Sequence, residues 1–373
     1  MTLRESYLDW NATAPLRPEA AAAIGAALAV CGNPSSVHRH GRAARLRVER
    51  AREAVAALVG APAESVIFVS GGTEANHLAL RGAGRPRVLA SAVEHGSVLE
   101  AASGAERIPV DRDGVVMLDA LEALLAADPQ PALVSVMLAN NETGVIQPAA
   151  RIAALAHAHG ALFHCDAVQA AGKLPIAAAE LGADLISLSA HKLGGPTGTG
   201  ALVVTGGIGL DPLLAGGGQE GGRRAGTENL PGIAGFGAAA AAAAAEIAAY
   251  QRIGALRDAI EAEITAVAPD AVVFGSRVPR LPNTLALGMP GMPAETQVIA
   301  LDLDGVMVSA GAACSSGKVQ PSHVLAAMGT GQELAGSAIR VSLGWSTTEA
   351  EAAHFLEAWT SLYRRRRAVA RAA

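Results

Sequence analysis

Cysteine is scarce in this chain. Cys31, Cys165 and Cys314 are its three cysteines, and no two of them form a CxxC pair. An odd, widely spaced set excludes a disulfide framework and a thiolate-rich metal site, and it points to a reducing, cytoplasmic compartment. An excess of one charge is also missing. With 29 basic against 34 acidic side chains the net charge is −5, so there is no electrostatic footprint for a nucleic-acid partner. Long apolar runs are absent too. The opening MTLRESYLDWNATAP has no apolar core and reads as no signal peptide. The alanine-rich runs Ala20–Val30 and Ala238–Ala245 are too short and too weakly apolar for a bilayer. They read as packed helices, with Pro18-Glu19 suited to the start of the first, and no membrane partner is expected.

What the chain does have is glycine, 42 residues of it, and hydrophobic side chains at 51% of its 373 positions. Such a chain builds a large core and is long enough for two domains. Several segments repeat one pattern: a short apolar strand, a polar or glycine-containing turn, then a stretch of helical period. Ser65–Ser70 leads to GGTEANHLALRG, Arg87–Ala92 to VEHGSVLEAA, Ala132–Ala139 to NNETGVIQPAARIAALAHAHG, and Ala161–His164 to CDAVQAAGK. The alternation predicts an α/β fold: a three-layer α/β/α large domain whose mixed sheet is mainly parallel. From about Phe236 an alanine-rich helix is expected to run through Tyr250 towards Ile264. A smaller α+β domain follows, so the large domain is placed at 13–250 and the small one at 1–12 with 251–373.

In such sheets ligands gather at the carboxyl ends of the strands, and the unusual polar residues fall there. Each has a plain reading beside a chemical one. VSGGTEAN is a turn with Thr73 near a helix cap, or a helix start whose free amides hold a phosphate. His95, in AVEHG, is structural or part of a site; Asn140 and Asn141, in LANNETG, are turn formers or donors. Asp166, with Gln169 three residues on, caps a helix or holds a cationic heteroaromatic nitrogen. Lys192, where DLISLSAHK meets a glycine-rich loop, either reaches water or is a covalent catalyst. Together the chemical readings describe one ligand with a phosphate, an aromatic cation and an aldehyde for a lysine: pyridoxal 5′-phosphate.

The order and wording of the motifs resemble the cysteine desulfurases, the NifS and IscS group of class V, fold-type I pyridoxal-phosphate enzymes. The resemblance covers almost the whole chain: YLDWNATAP, GNPSSVHRHG, FVSGGTEAN, EHGSV, NNETGVIQP, CDAVQAAGK, SLSAHK, GGGQEGGRRAGTEN, SAGAACSSG, PSHVLAAMG and IRVSLGWSTT. It implies that Lys192 forms the imine with the cofactor, Asp166 pairs with the pyridinium nitrogen, Gln169 bonds the phenolic oxygen and His95 stacks on the ring. Gly72, Thr73, Ser189 and His191 would hold the phosphate, and Thr227 that of a neighbouring subunit, which implies a homodimer. Asn141 and Arg340 would hold the carboxylate of L-cysteine, a task that suits an arginine fork.

Cys314 separates desulfurases from their relatives. It lies among small residues in SAGAACSSGK, whereas Cys165 sits in an apolar strand as an inert hydrophobe. The implied reaction takes sulfur from cysteine onto the Cys314 thiolate, leaving alanine and a persulfide. An iron–sulfur scaffold or another sulfur acceptor would then receive the sulfur. A selenocysteine lyase or an aminotransferase of class V is the alternative. Two positions depart from the family pattern: Gly221 stands in place of an arginine and Trp345 in place of a basic residue, and the C-terminus is short. GGGQEG fits GxGxxG but follows no clear strand. His157, His159 and His164 lack metal-ligand spacing, and Arg364–Arg367 reads as a solvated helix end.

Overall fold

The computed structural model describes residues 5–311 and 322–372. Cys314 therefore lies outside the described residues. Near the N-terminus β1 (Ser6–Tyr7) opens the chain. The central sheet is then built from β2 (Val66–Val69), β3 (Arg87–Ser91), β4 (Glu106–Ile108), β5 (Ala132–Ser135), β6 (Leu162–Asp166), β7 (Leu185–Ser189) and β8 (Gly200–Val204). Its order is β2-β8-β7-β6-β5-β3-β4. Only β8 runs against the others, pairing antiparallel with both β2 and β7. The sheet is mixed and mainly parallel, as expected.

Alternation along the strands explains the three layers. Val66 and Phe68 of β2, Ile186 and Leu188 of β7, and Ala201 and Val203 of β8 bury against the helices Arg39–Leu58 and Leu230–Ala245. Their neighbours Ile67, Val69, Leu185, Leu202 and Val204 join the opposite core with Leu78 and Leu80 of the helix Gly72–Gly82. Every residue of β2, β7 and β8 is buried, the mark of a sheet covered on both faces.

A second, antiparallel sheet is made of β9 (Val272–Val273), β10 (Thr284–Gly288), β12 (Ser309–Ala310) and β13 (Ala338–Ser342), in the order β12-β13-β10-β9. The short β11 (Val306–Met307) pairs in parallel with β1. This sheet has its own core, in which Leu285, Ile339 and Val341 meet Ile253, Ile260, Phe355 and Trp359. Leu8 is buried in the same core, which draws the N-terminal segment to this part of the molecule.

Two expectations are corrected. The alanine-rich stretch is two helices, Leu230–Ala245 and Ala249–Val267, bent by 73°. The first must lie along the central sheet while Tyr250, Ile253 and Ile260 of the second pack on the other core, and one straight helix cannot serve both. The arginine run is not a helix end: Arg364–Arg367 lies inside the helix Glu349–Ala372. There Arg366 binds Asp270 at 2.7 Å and the Pro290 carbonyl at 2.5 Å.

Candidate active site

A cavity of about 490 Å³ opens where β2, β3, β5, β6 and β7 all end. Gly72 and Thr73 begin the helix after β2, His95 follows β3, Asn141 follows β5, Asp166 closes β6, and Ser189, His191 and Lys192 close β7. The parallel direction of these strands brings five separate turns to one edge. All of these residues line the cavity, and so do Gln169 and Arg340, the latter from β13 on the far wall. Of the expected site residues that the structure describes, Thr227 stands apart, exposed and outside the cavity lining.

Lys192 donates to the backbone carbonyls of Asn11 and Ala12 at 2.7 and 2.8 Å. Burial, reinforced by the positive charge of Arg340, pulls its ammonium down to about 8. The glycine-rich turn after it is a packing requirement. Gly194 sits at φ +87°, and a Cβ there would come within 2.6 Å of Arg17 and Trp345. Arg17 lies over the Trp345 ring at 3.7 Å, and Trp10 meets that ring edge-on at 4.6 Å. The departure at Trp345 is thus a packed stack behind the lysine turn.

Asp166 accepts from the Val168 amide at 2.9 Å through one oxygen and from Asn76 Nδ2 at 2.8 Å through the other. No helix starts there: Asp166 closes a turn at 167–170 rather than capping a helix, and it faces the cavity as well. His95 does cap its helix, accepting from the Ser97 amide at 3.1 Å, while its ring faces the cavity. Burial lowers its basicity, Asp166 opposing this in part. Burial holds His191 down at about 4, so its imidazole is neutral, with one ring nitrogen able to donate and the other to accept. Asn140 is the turn former of its pair, its Oδ1 taking the Glu142 and Thr143 amides at 2.9 Å. Asn141 instead reaches the cavity.

Arg340 donates to Asp9 at 2.7 Å and to the Asn141 carbonyl at 3.1 Å, and its buried Nε has no partner. Asn76 Oδ1 is a second buried atom without a partner. An orphaned guanidinium donor, an amine without an acidic partner in hydrogen-bond reach, a carboxylate, and the first amides of an 11-residue helix form a set that fits pyridoxal 5′-phosphate with an amino acid. The residues Asn11, Asn76, Ser97 and Asp9 were not expected from the sequence. Asn76 carries a signal, because it lies one helical turn beyond Thr73 on the same face. Asn11 carries none, since its contact with Lys192 is made by the backbone.

Among the described residues no group of histidine, cysteine or acidic side chains could hold a metal. His164 is buried between Ser135 and Ser187, each at 2.9 Å. GGGQEG follows no strand directly, β8 having ended at Val204, and it runs into a 3-10 turn at Gln219–Gly222 in which Gly221 takes φ +65°. Glycine adopts that conformation without strain, and nothing else in the structure explains the departure from arginine.

The site, a largely buried lysine at the carboxyl edge of a three-layer α/β sheet, fits a class of cofactor enzymes, and comparison with known proteins specifies it. The chain belongs to the aminotransferase class-V family, whose model matches residues 6–355. It is 46% identical to a cysteine desulfurase of Cereibacter sphaeroides, covering 94% of each chain. It is 42% identical to the cysteine desulfurase IscS of Dictyoglomus turgidum, covering 95% of this chain and 93% of the other. In structure it is similar to a NifS-like protein from Rickettsia africae, with a TM-score of 0.91, 36% identity, and coverage of 97% and 100%.

Proposed function

We propose that the protein is a cysteine desulfurase that uses pyridoxal 5′-phosphate to take sulfur from L-cysteine. The observation that carries this is the shared cavity: Lys192, Asp166, Gln169 and His95 on one wall face Arg340 on the other. The cofactor, when bound, supplies the electron sink that weakens bonds at the substrate's Cα and Cβ.

The chain's own groups do the rest. The Gly72 and Thr73 amides, Ser189 and His191 hold the phosphate. Asp166 would hold the protonated pyridine nitrogen of the cofactor, Gln169 would donate to its phenolic oxygen, and His95 would pack on its ring, all three lining the same cavity. Arg340 and Asn141 bind the carboxylate of the substrate. Lys192, with a pKa near 8, carries the Cα proton near neutral pH. Cys314 then accepts the substrate's sulfur: an S–S bond forms, the C–S bond breaks, and free cysteine plus enzyme thiol becomes alanine plus enzyme persulfide.

We place the boundary of the two domains at residue 250, with residues 1–12 in the small one. Thr227, which this chain's cavity does not use, reaches the phosphate site of a second copy, so the working unit is a homodimer. Its exposure supports that reading. The acceptor is an iron–sulfur scaffold or another thiol protein, in a reducing cytoplasm where Cys31, Cys165 and Cys314 stay unpaired. Among the described residues no single helix is long and apolar enough to cross a membrane.

The test is to give the purified protein cysteine and follow alanine. Wild type should release alanine and gain ~32 Da, one sulfur, at Cys314 by thiolate chemistry. Cys314→Ser should keep the cofactor spectrum yet form neither product. Release of alanine by the serine variant at the wild-type rate would remove the desulfurase reading, and keto-acid production instead would make the protein an aminotransferase.

A further inference from the structure

We infer that Lys173, a lysine behind the cavity rather than in it, is the positioning residue that sets which end of Gln169 faces the cofactor. Lys173 is 3% exposed, and among the described residues its hydrogen-bond partners are uncharged. Its Nζ donates at 2.9 Å to Oδ1 of Asn11 and at 2.9 Å to Oε1 of Gln169. Burial and the charges of Lys192 and Arg340 all oppose its ammonium. A helix-facing apolar side chain of the same length would cost nothing of the kind. A group this expensive to bury needs a task, and its chemistry suggests one.

A side-chain amide is nearly symmetric in shape, so packing alone does not decide which end is oxygen. An ammonium only donates. By holding Oε1 of Gln169 on its own side, Lys173 turns Nε2 the other way, where it donates to the Asn11 carbonyl at 2.9 Å. That carbonyl is also an acceptor of Lys192 Nζ, at 2.7 Å. Both lysines therefore act on Asn11 from opposite sides, one on its side chain and one on its backbone.

The same logic runs through Asn11. Its Oδ1 takes Lys173 and also Asn283 Nδ2 at 3.0 Å, so its Nδ2 is left to donate to Thr284 Oγ1 at 2.8 Å and to the Asn141 carbonyl at 3.3 Å. The Thr284 hydroxyl donates to Asn283 Oδ1 at 3.0 Å, and Asn283 closes the ring on Asn11. Every amide in this loop has one sense that pairs all its partners, fixed by the two N–H bonds that Lys173 donates. The loop joins the N-terminal segment, the start of β10 and the turn after β6, and Asn11 and Gln169 bring it to the cavity wall. Lys173 thus presents Gln169 as a donor, the sense a phenolate oxygen requires.

The proposal rests on the pyridoxal-phosphate reading, and the experiment separates the two. Apo-protein is titrated with pyridoxal phosphate, with the dissociation constant and the visible absorption maximum as readouts, for wild type, Lys173→Met, Gln169→Ala and the double variant. Lys173→Met should weaken cofactor binding about tenfold, as the loss of one oriented hydrogen bond does, and shift the maximum in the same direction as Gln169→Ala. In the double variant the effect should be no larger than that of Gln169→Ala alone, because the lysine acts through the glutamine. Lys173→Gln, which retains an N–H donor, should recover part of the affinity and serves alone if the methionine variant does not fold. Effects that multiply in the double variant, or a Lys173→Met or Lys173→Gln protein with wild-type affinity and spectrum, would overturn the role of Lys173. Wild-type protein that takes up no cofactor would instead overturn the cofactor reading.

Discussion

Arg52 and Lys192 are both largely buried cations, and they keep different company. Arg52 lies beside β2 with its two terminal nitrogens on Glu220, at 2.7 and 2.9 Å, and the same carboxylate takes the Phe68 amide at 2.9 Å. Arg17 with Glu246 at 2.6 Å, Arg87 with Glu106 at 2.6 Å and Arg280 with Glu261 at 2.7 Å repeat the arrangement. Lys192 and Lys173 meet only uncharged oxygens. Away from the cavity a buried charge is neutralised within the chain, because leaving it bare is costly. At the cavity neutralisation is withheld, and the lysine responds by giving up its proton more readily. Arg340 stands between the two cases, held by Asp9 yet keeping one donor unused.

The sharpest way to break this comparison is Lys192→Ala. Turnover of cysteine to alanine should fall on the order of 10³-fold or more, above about 4 kcal/mol of activation free energy. The denaturant midpoint of the apo-protein should hold or rise. A large stability loss with modest loss of turnover would place Lys192 with Arg52. The reverse holds for Arg52→Met, which strands Glu220 and should cost roughly 3–5 kcal/mol of stability. Urea unfolding followed by circular dichroism measures it, and a loss under 1 kcal/mol would mean the pair is dispensable.

Arg340→Ala tests the intermediate case. A charge-assisted contact to a carboxylate is worth about 2–3 kcal/mol, so KM for cysteine should rise roughly 30- to 150-fold with the cofactor still bound. An unchanged KM would assign the carboxylate to another residue. The smallest expected effect is in pH. Lys192 is near 8 in the folded apo-protein, below its ordinary value of 10.5. Between those values the unfolded chain holds more protons than the folded one, so stability rises with pH across that window. The penalty is present in full below pH 8. Apo wild type should therefore gain on the order of 1–3 kcal/mol relative to Lys192→Met between about pH 7.5 and 10. Parallel curves for the two proteins would mean that the amine is not desolvated.

Much of the site was legible because the fold is periodic. Once β2, β3, β5, β6 and β7 run the same way, the residues after each strand must share an edge, so Gly72, His95, Asn141, Asp166 and Lys192 can be grouped from sequence order alone. Arg340 reached the cavity from a different sheet and was legible only through the family's wording. Plain and chemical readings proved not to be rivals at Asp166 and His95, since each caps a turn with some of its atoms and faces the cavity with the rest. The break between Ala245 and Ala249 was not legible, because alanine favours helix without saying which core the helix must bury against.

By itself the sequence determined the layered α/β architecture, through strand alternation and helical period, and the kind of chemistry at the strand ends, through residue type. Only the tertiary structure decided which oxygens receive the lysines, that Asp9 holds Arg340, that Trp345 packs on Arg17, and that Asn11, Asn283 and Thr284 close a ring around Lys173. These contacts join segments more than 100 residues apart, several through backbone carbonyls that every residue type carries. Local pattern reports which face of an element is buried. It does not report which distant donor will meet which acceptor, and in a buried site that pairing sets both charge and orientation.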